Sequence, residues 1–512
     1  MGTVPWTVYA PTRRREHWKL PDGLSWSTVQ QKVKRLQMRI AKAAKEGNYR
    51  RMRSLQWLLA HSRLAKLLAI RRVTSNKGKN TPGVDGVVWR TSRQKMRAVK
   101  QLSRRGYRAL PLRRVYIRKK SGKLRPLGIP TMRDRAMQAL YALTLAPIAE
   151  TRADPNSYGF REGRSCADAL AQCFGCLGYK GSARWILEAD IQSCFDEISH
   201  QWIMANIPID RKVLSQWLQA GYLDRGTLYP TLRGTPQGGV ISPLIMNMTL
   251  DGLEETAIRA LPPYGQVRHL VHTIRYADDF IVTARHEVML RDKILPALRA
   301  FLAKRGLKLS EEKTRIVRIE QGFDFLGQHI RRFPCGKVLI QPSTNALQGV
   351  QARVRQILKA HSGTDTYSMI RRLNQSIRGW CNYHRCSCAT RAFKRFDRWL
   401  FYRLKHWLHQ RHPNKGRHWI MKTYYRLHDG TAWSFYARRT VKNGRREHID
   451  LYRASRTGIV RHVKVRAAAN PYDPACSSYF TKRRLARFRQ HAARGSKALV
   501  DEHGSPKDTG GL

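Results

Sequence analysis

This chain is short of acid. Its 512 residues carry 35 Asp and Glu against 97 Lys and Arg, for a formal net charge of +62 and a pI near 11.0. So one-sided a balance favours a polyanionic partner, and charge spread along the whole length fits nucleic acid better than a membrane surface. Long apolar runs are also missing. None reaches the roughly 18 residues of a spanning helix, and the best stretch, Met137 to Ala149, is interrupted by Gln138 and Pro147. The N-terminus shows no basic-then-apolar signal pattern. Cysteines are few and odd in number: nine, scattered, which argues against a disulfide framework and for a reducing, cytoplasmic setting. What is present is 42% hydrophobic, enough for sizeable cores. The length calls for more than one of them.

In a chain this basic, the position of each acid carries information. Arg275 to Val282 place Asp278 and Asp279 side by side between two β-prone runs, Leu270–Ile274 and Phe280–Thr283. That pattern reads as strand, tight turn and return strand, with both carboxylates at the tip. Their mutual repulsion is costly, and a divalent metal would offset it if a further carboxylate came from elsewhere. Arg184 to Asp190 reads as a strand that delivers an acid at its end. Asp190 is therefore the candidate third carboxylate, or equally a surface acid capping the next helix.

Taken in order, residues 1–25 read as a partly ordered arm. A helix follows a cap at Ser25, Ser27 or Thr28, with Val29, Val33, Leu36 and Ile40 on one face. A second helix is expected over Tyr49–Arg72. Residues 1–75 hold 17 Lys and Arg but 3 Asp and Glu, which favours phosphate contact over a merely solvated face. Thr74–Gly86 is a loop. Arg113–Pro130 reads as a β-hairpin with a Ser-Gly turn, its basic arms suited to a triphosphate or template backbone and equally to an exposed edge guarded by lysine. Met132–Ala149 reads as a buried helix ending near Pro147, and Asn156–Ser165 as a Gly-punctuated loop before another helix. Gly234–Pro243 is a Gly/Pro loop that lets backbone approach a ligand closely. A helix from Glu287 to Gly306 and the Phe323–Gly327 segment close the sheet region. Residues 343–490 hold 33 Lys and Arg against 6 Asp and Glu, interleaved with Trp and Tyr, a mixture that suits nucleic-acid contact although over half of these aromatics are expected to be core.

Together these blocks resemble the reverse transcriptases encoded by bacterial group II introns, also called maturases. The carriers are Tyr276-Ala277-Asp278-Asp279, Leu124-Arg125-Pro126-Leu127-Gly128-Ile129-Pro130, Ser157-Tyr158-Gly159-Phe160-Arg161, the Asp190 strand, Thr235-Pro236-Gln237-Gly238-Gly239 and Phe323-Asp324-Phe325-Leu326-Gly327. Arg378-Gly379-Trp380-Cys381-Asn382-Tyr383-His384 resembles the family's thumb signature. The resemblance implies an α+β right-hand polymerase with an antiparallel palm sheet, a helical thumb and a small C-terminal DNA-binding domain. It divides the chain into an N-terminal extension with basic helices (1–95), fingers and palm (96–342), thumb or maturase domain (343–412), DNA-binding domain (413–490) and flexible tail (491–512).

The resemblance implies an RNA-directed DNA polymerase that binds group II intron RNA, assists splicing and copies the intron into DNA during retrohoming. Target DNA is a second partner. Asp190, Asp278 and Asp279 would hold two Mg²⁺ ions, and dNTP is the substrate. Lys119 and Arg125 would grip the triphosphate, Phe195 would lie under the sugar and reject a 2′-hydroxyl, and Gln237 and Ile191 would line the nucleotide pocket. Tyr276 and Ala277 would support the turn and primer end, and Lys313 would assist the leaving group. Asp196 is expected to be structural. Asn470–Pro474 resembles the segment that precedes an HNH endonuclease in many relatives; with only Cys476 beyond it, no cutting of the second DNA strand is expected, and priming would use an existing 3′ end. Cys173-x-x-Cys176 and the Cys381, His384, Cys386, Cys388 group are expected to be structural rather than zinc-binding. The rival readings are a splicing cofactor without polymerase activity and a reverse transcriptase domesticated for repair or defence.

Overall fold

The computed structural model describes residues 18, 20, 23–118, 122, 124–236, 238–262, 270–363, 365–428, 432–440, 444 and 446–486. Most of the expected arm, Lys119, Gln237, Ser121 of the hairpin turn and the 491–512 tail lie outside the described residues.

The fold is α+β and its centre is a four-stranded antiparallel sheet. In spatial order the strands are Thr273–Tyr276, Asp279–Ala284, Trp185–Asp190 and Arg315–Arg318. Alternate side chains go to opposite cores, as the period of two demands. Leu187, Ala189, Phe280 and Val282 enter the main core with the N-terminal helices, while Ile186, Ile274 and Ile281 pack on the Cys166–Leu177 helix side. A sheet buried on both faces cannot slip by one residue without turning every apolar side chain to the wrong core, so its register is firmly set.

Three helices, Trp26–Lys45, Tyr49–His61 and Arg63–Thr74, wrap the long Met132–Arg152 helix. Ser25 caps the first through Thr28 N, and Val29, Val33 and Ile40 are buried as expected. The single helix expected over Tyr49–Arg72 is instead two, broken where Ser62 turns extended (φ −64°, ψ 124°). In an unbroken helix Leu67 would lie about 120° round from Leu55; the break brings both into the same core.

The Met132–Arg152 helix also differs from expectation, because it runs through Pro147 rather than ending there. A proline removes the N–H that would bond the carbonyl four residues earlier. Here that carbonyl, Leu143 O, accepts from Gln37 Nε2 at 2.8 Å, and Gln37 is itself buried. A side chain from a neighbouring helix thus makes the bond that the proline cannot.

Leu112–Arg118 and Leu124–Ile129 form the expected hairpin, and Tyr222–Asp224 and Thr227–Tyr229 extend it into a four-stranded sheet. Phe323–Phe325 does not join the central sheet; the chain reverses at Leu326 and Gly327, both at positive φ, and makes a separate three-stranded sheet with Gln328–Arg332 and Val338–Pro342. Beyond it come three helices, Thr344–Ala360, Thr366–His384 and Thr390–Arg411, and then a smaller module with three strands after Pro413. The chain finally returns to the Cys166–Leu177 helix. Buried Asp168 receives Val465 N and Arg483 Nη2 at 2.8 and 2.6 Å, with His462 Nε2 at 2.8 Å; burial pushes its carboxyl up, but the His462 and Ser165 hydrogen bonds and the Arg483 charge hold it down at about 2.

Gln37→Leu would leave the Leu143 carbonyl buried without a donor. The expected loss is roughly 1–3 kcal/mol, read as a lower thermal unfolding midpoint; an unchanged midpoint would mean that another donor replaces Gln37.

Candidate active site

Asp190 ends its strand and Asp279 begins the neighbouring one, and the two are direct cross-strand partners. Tyr276 pairs with Asp279, so Ala277 and Asp278 form a two-residue turn, with Ala277 left-handed at φ 62°. Register therefore gathers three carboxylates at one end of the sheet. Asp190 and Asp279 border a cleft of about 300 Å³ lined also by Glu188, Lys313, Arg315 and Phe325.

The electrostatics follow from this crowding. Burial, then Asp278, then Asp190 push Asp279 up to about 8. Burial raises Asp278 too, with Asp190 adding to it, while the charges of Arg125 and Lys313 act in the opposite direction. Lys313 Nζ lies 2.5 Å from Asp190 Oδ2. Among the described residues no three acidic, His or Cys side chains close around a common point as ligands. The donor set still suits a hard divalent cation, since it offers carboxylate oxygens alone in a place where added positive charge relieves repulsion.

The turn is held from behind by residues that the motif reading left without a role. Arg275 is buried; its Nη2 lies 2.5 Å from Asp251 Oδ1 and its Nη1 3.2 Å from Asn247 Oδ1. Burial raises Asp251 to about 7, with Arg275 opposing. Asn247 Nδ2 in turn donates to Gly159 O at 2.8 Å, and Tyr158 N donates to Arg275 O at 2.9 Å. A Cβ on Gly159 would fall 2.3 Å from Ala277 N. The Ser157–Arg161 loop is thus the seat of the carboxylate turn, and glycine is required for that contact. The signal in the sequence was an arginine inside an apolar strand, Ile274-Arg275-Tyr276, at a position the sheet must bury.

The other expected residues fall as follows. Phe195, on the short Cys194–Glu197 helix, packs half-buried against the main core, and its carbonyl accepts Thr235 N at 2.6 Å. Gly234 N donates to Ile198 O, and a Cβ on Gly234 would lie 2.5 Å from the Asp196 backbone, so the Gly234–Pro243 loop docks directly on the Phe195 turn. Asp196 takes part through its main chain. Gly238 approaches Gly128 O in the fingers hairpin, which joins the same loop to the strand carrying Arg125. Ile191 buries its side chain in the main core at 2% exposure, so only its main chain is left for a nucleotide. Tyr276 is half-buried; burial raises its hydroxyl, followed by the Cys166 thiol, which also meets Tyr383 of the Thr366–His384 helix. His384 and Gln328 are hydrogen-bonded at 2.8 Å, and Cys173 is fully buried.

Comparison with known proteins shows which families the chain resembles. Residues 117–330 match the family described as reverse transcriptase (RNA-dependent DNA polymerase), 21–102 the N-terminal domain of reverse transcriptase, and 347–425 the group II intron maturase-specific domain. Protein YkfC of Escherichia coli strain K12 is 34% identical over 334 residues, spanning 57% of this chain and 86% of the relative. Group II intron-encoded protein LtrA of Lactococcus lactis subsp. cremoris is 29% identical over 409 residues, 62% of this chain and 68% of the relative. The uncharacterized 91 kDa protein in the cob intron of Schizosaccharomyces pombe is 29% identical over 307 residues, 49% of this chain and 38% of the relative.

Two outcomes are expected. Asp279 binds its proton more tightly folded, up to about 8, than at the ordinary 3.8, so its contribution to stability falls as pH rises between those values. In chelator, Asp279→Asn should therefore gain thermal stability over the wild type, by a margin that widens from acidic to mildly alkaline pH; a constant margin contradicts the raised carboxyl. Gly159→Ala should displace the turn and lower turnover at least tenfold, a misplacement effect, without weakening RNA binding. Retained turnover would show that the turn tolerates the extra carbon.

Proposed function

Because the chain belongs to the group II intron-encoded reverse transcriptase and maturase family, we propose that Asp190, Asp278 and Asp279 are the nucleotidyl-transfer centre of its RNA-directed DNA polymerase activity. One observation carries this reading: Asp190 and Asp279 are cross-strand partners, with Asp278 on the adjoining turn.

The reaction joins the primer 3′-oxygen to the α-phosphorus of a dNTP and breaks the bond to pyrophosphate. Two Mg²⁺ ions held by the three carboxylates would supply the positive charge that favours the attacking alkoxide and the leaving oxygen. The protein's own groups bind and orient. Asp190 and Asp278 would be the principal ligands, and Asp279 would complete the acidic cluster. Arg125, whose charge is felt at Asp278, holds the triphosphate, and family resemblance gives Lys119 the same role. Phe195 lies under the sugar, fixed by the Thr235 bond to its carbonyl. Gln237 and the main chain of Ile191 complete the pocket. Tyr276 and Ala277 shape the turn at the primer end. Lys313 forms an ion pair with Asp190, and by family resemblance it would assist the leaving pyrophosphate.

The maturase half of the function is binding of group II intron RNA. The one-sided charge favours that contact, and the basic N-terminal helices and the 343–412 helices are its surface. The smaller module after Pro413 contacts target DNA, and together these activities carry out retrohoming. No helix among the described residues is long and apolar enough to cross a membrane, and the proposed setting is the bacterial cytoplasm.

Asp278→Asn should lower cDNA synthesis on the order of 10²–10³-fold or more, the scale of losing transition-state charge stabilisation. RNA binding and splicing should remain largely intact. If splicing fails equally in a folded variant, the two activities do not separate as proposed.

A further inference from the structure

The fingers sheet has two faces, and the aspartates are served by one. Along Leu112–Arg118 side chains alternate. Ile117 is opposite Arg125, whose charge reaches Asp278, so Arg113, Val115 and Ile117 share the face that serves the cleft. Arg114 and Tyr116 belong to the other face. There Leu112 aligns with Tyr222 in the parallel pairing, and Tyr222 is opposite Tyr229.

Three side chains form a row across three strands of this outer face. The Arg114 guanidinium carbon lies 3.6 Å from the centroid of the Tyr222 ring. Tyr222 stacks on Tyr229 with centroids 5.3 Å apart and planes 17° from parallel. Beside the row, Tyr116 Oη donates to Asp224 at 2.6 Å, which fixes its ring. Yet Tyr116 remains 45% exposed and Tyr229 43%. A ladder that only braced the hairpin would have no need to present two rigid aromatic rings to solvent. Guanidinium and aromatic planes that are already ordered stack with a base at little further cost in entropy, and each base has such a face to offer.

We propose that this outer face is a stacking platform for unpaired bases of an RNA other than the strand being copied, namely a single-stranded loop of the RNA that the maturase holds. The inference rests on the family reading above. Three considerations select that occupant. The face lies away from Arg125 and the aspartates, which excludes the strand in the cleft. A duplex hides its base faces, so a flat aromatic surface fits unstacked bases, as RNA loops supply. Exposed Arg118 and Arg225 on the same strands and their connecting turn, in a chain of net charge +62, suit a phosphate backbone.

The test uses the full chain with its cleft filled by a chain-terminated primer–template duplex and the next dNTP. A short unstructured RNA oligonucleotide, or a blunt RNA duplex of the same composition, is then titrated in. The wild type should bind the single strand. Tyr229→Ala should weaken that binding on the order of tenfold, the loss of one stacked base, while Tyr229→Phe keeps wild-type affinity. Duplex binding and extension of a simple primer–template should be unchanged in both. The proposal is overturned if the filled wild type binds no second RNA, if the alanine variant binds as tightly as the wild type, or if the phenylalanine variant fails as the alanine does. It is also overturned if primer extension falls in step with binding, which would put the copied strand on this face. A wild type that extends no primer would sink the polymerase reading alone, because binding of the second RNA is measured separately.

Discussion

Repulsion between Asp190, Asp278 and Asp279 is the constraint that the palm is built to withstand. Left to themselves, three carboxylates would part or take up protons. Asp190 and Asp279 cannot part, because they are cross-strand partners in a sheet buried on both faces. Asp278 cannot swing away, because its turn is seated on Gly159 and its strand is tied through Arg275. The strain is therefore stored in electrostatics. It appears as raised carboxyls and as the close approach of Lys313. A site of this kind is prepared for positive charge, and in a polymerase positive charge must act on the phosphates of the incoming nucleotide.

Scarcity of acid explains how the remaining carboxylates are used. Three of them, Glu150, Asp168 and Asp251, bind four arginines: Arg161 and Arg164, Arg483, and Arg275. All sit in or near the scaffold around the carboxylate turn. Removing one partner of such a pair strands a buried charge at roughly 3–5 kcal/mol, so these acids organise the interior more than they neutralise the surface. With 97 Lys and Arg against 35 Asp and Glu, most cations have no carboxylate to pair with, and phosphate is the counter-charge that nucleic acid supplies.

The Asp278–Asp279 pair was legible because its signal is local, two acids at a hairpin tip, whereas Asp190 reads equally as a helix cap without the family resemblance. Legible too were the Arg113–Pro130 hairpin and a helix cap among Ser25, Ser27 and Thr28, while the helical 343–412 stretch followed from the family resemblance. What escaped was set by partners distant in sequence. Pro147 reads as a helix end unless Gln37, more than a hundred residues earlier, is known to bond Leu143 O. The break at Ser62 follows from the need to turn two helix faces toward one core. Arg275 stood in plain view beside Tyr276, but only the fold reveals Asp251 and Asn247 waiting for it. The Tyr222–Tyr229 hairpin, short and without strong punctuation, acquires meaning only once Arg114 is laid against it.

The same logic bears on how the two halves of the function are joined. Tyr276 belongs to the carboxylate hairpin and Tyr383 to the helix that carries the thumb signature, yet both meet the thiol of Cys166. Tyr383 Oη also donates to Leu326 O, at the turn between the cleft-lining Phe323–Phe325 strand and its neighbour. Cys166 opens the helix whose Asp168 holds Val465 and Arg483. One short helix therefore touches the polymerase turn, the thumb and the returning C-terminal segment. Interiors packed this closely transmit strain rather than absorb it, so this helix joins the carboxylate turn to the helices that match the maturase-specific domain.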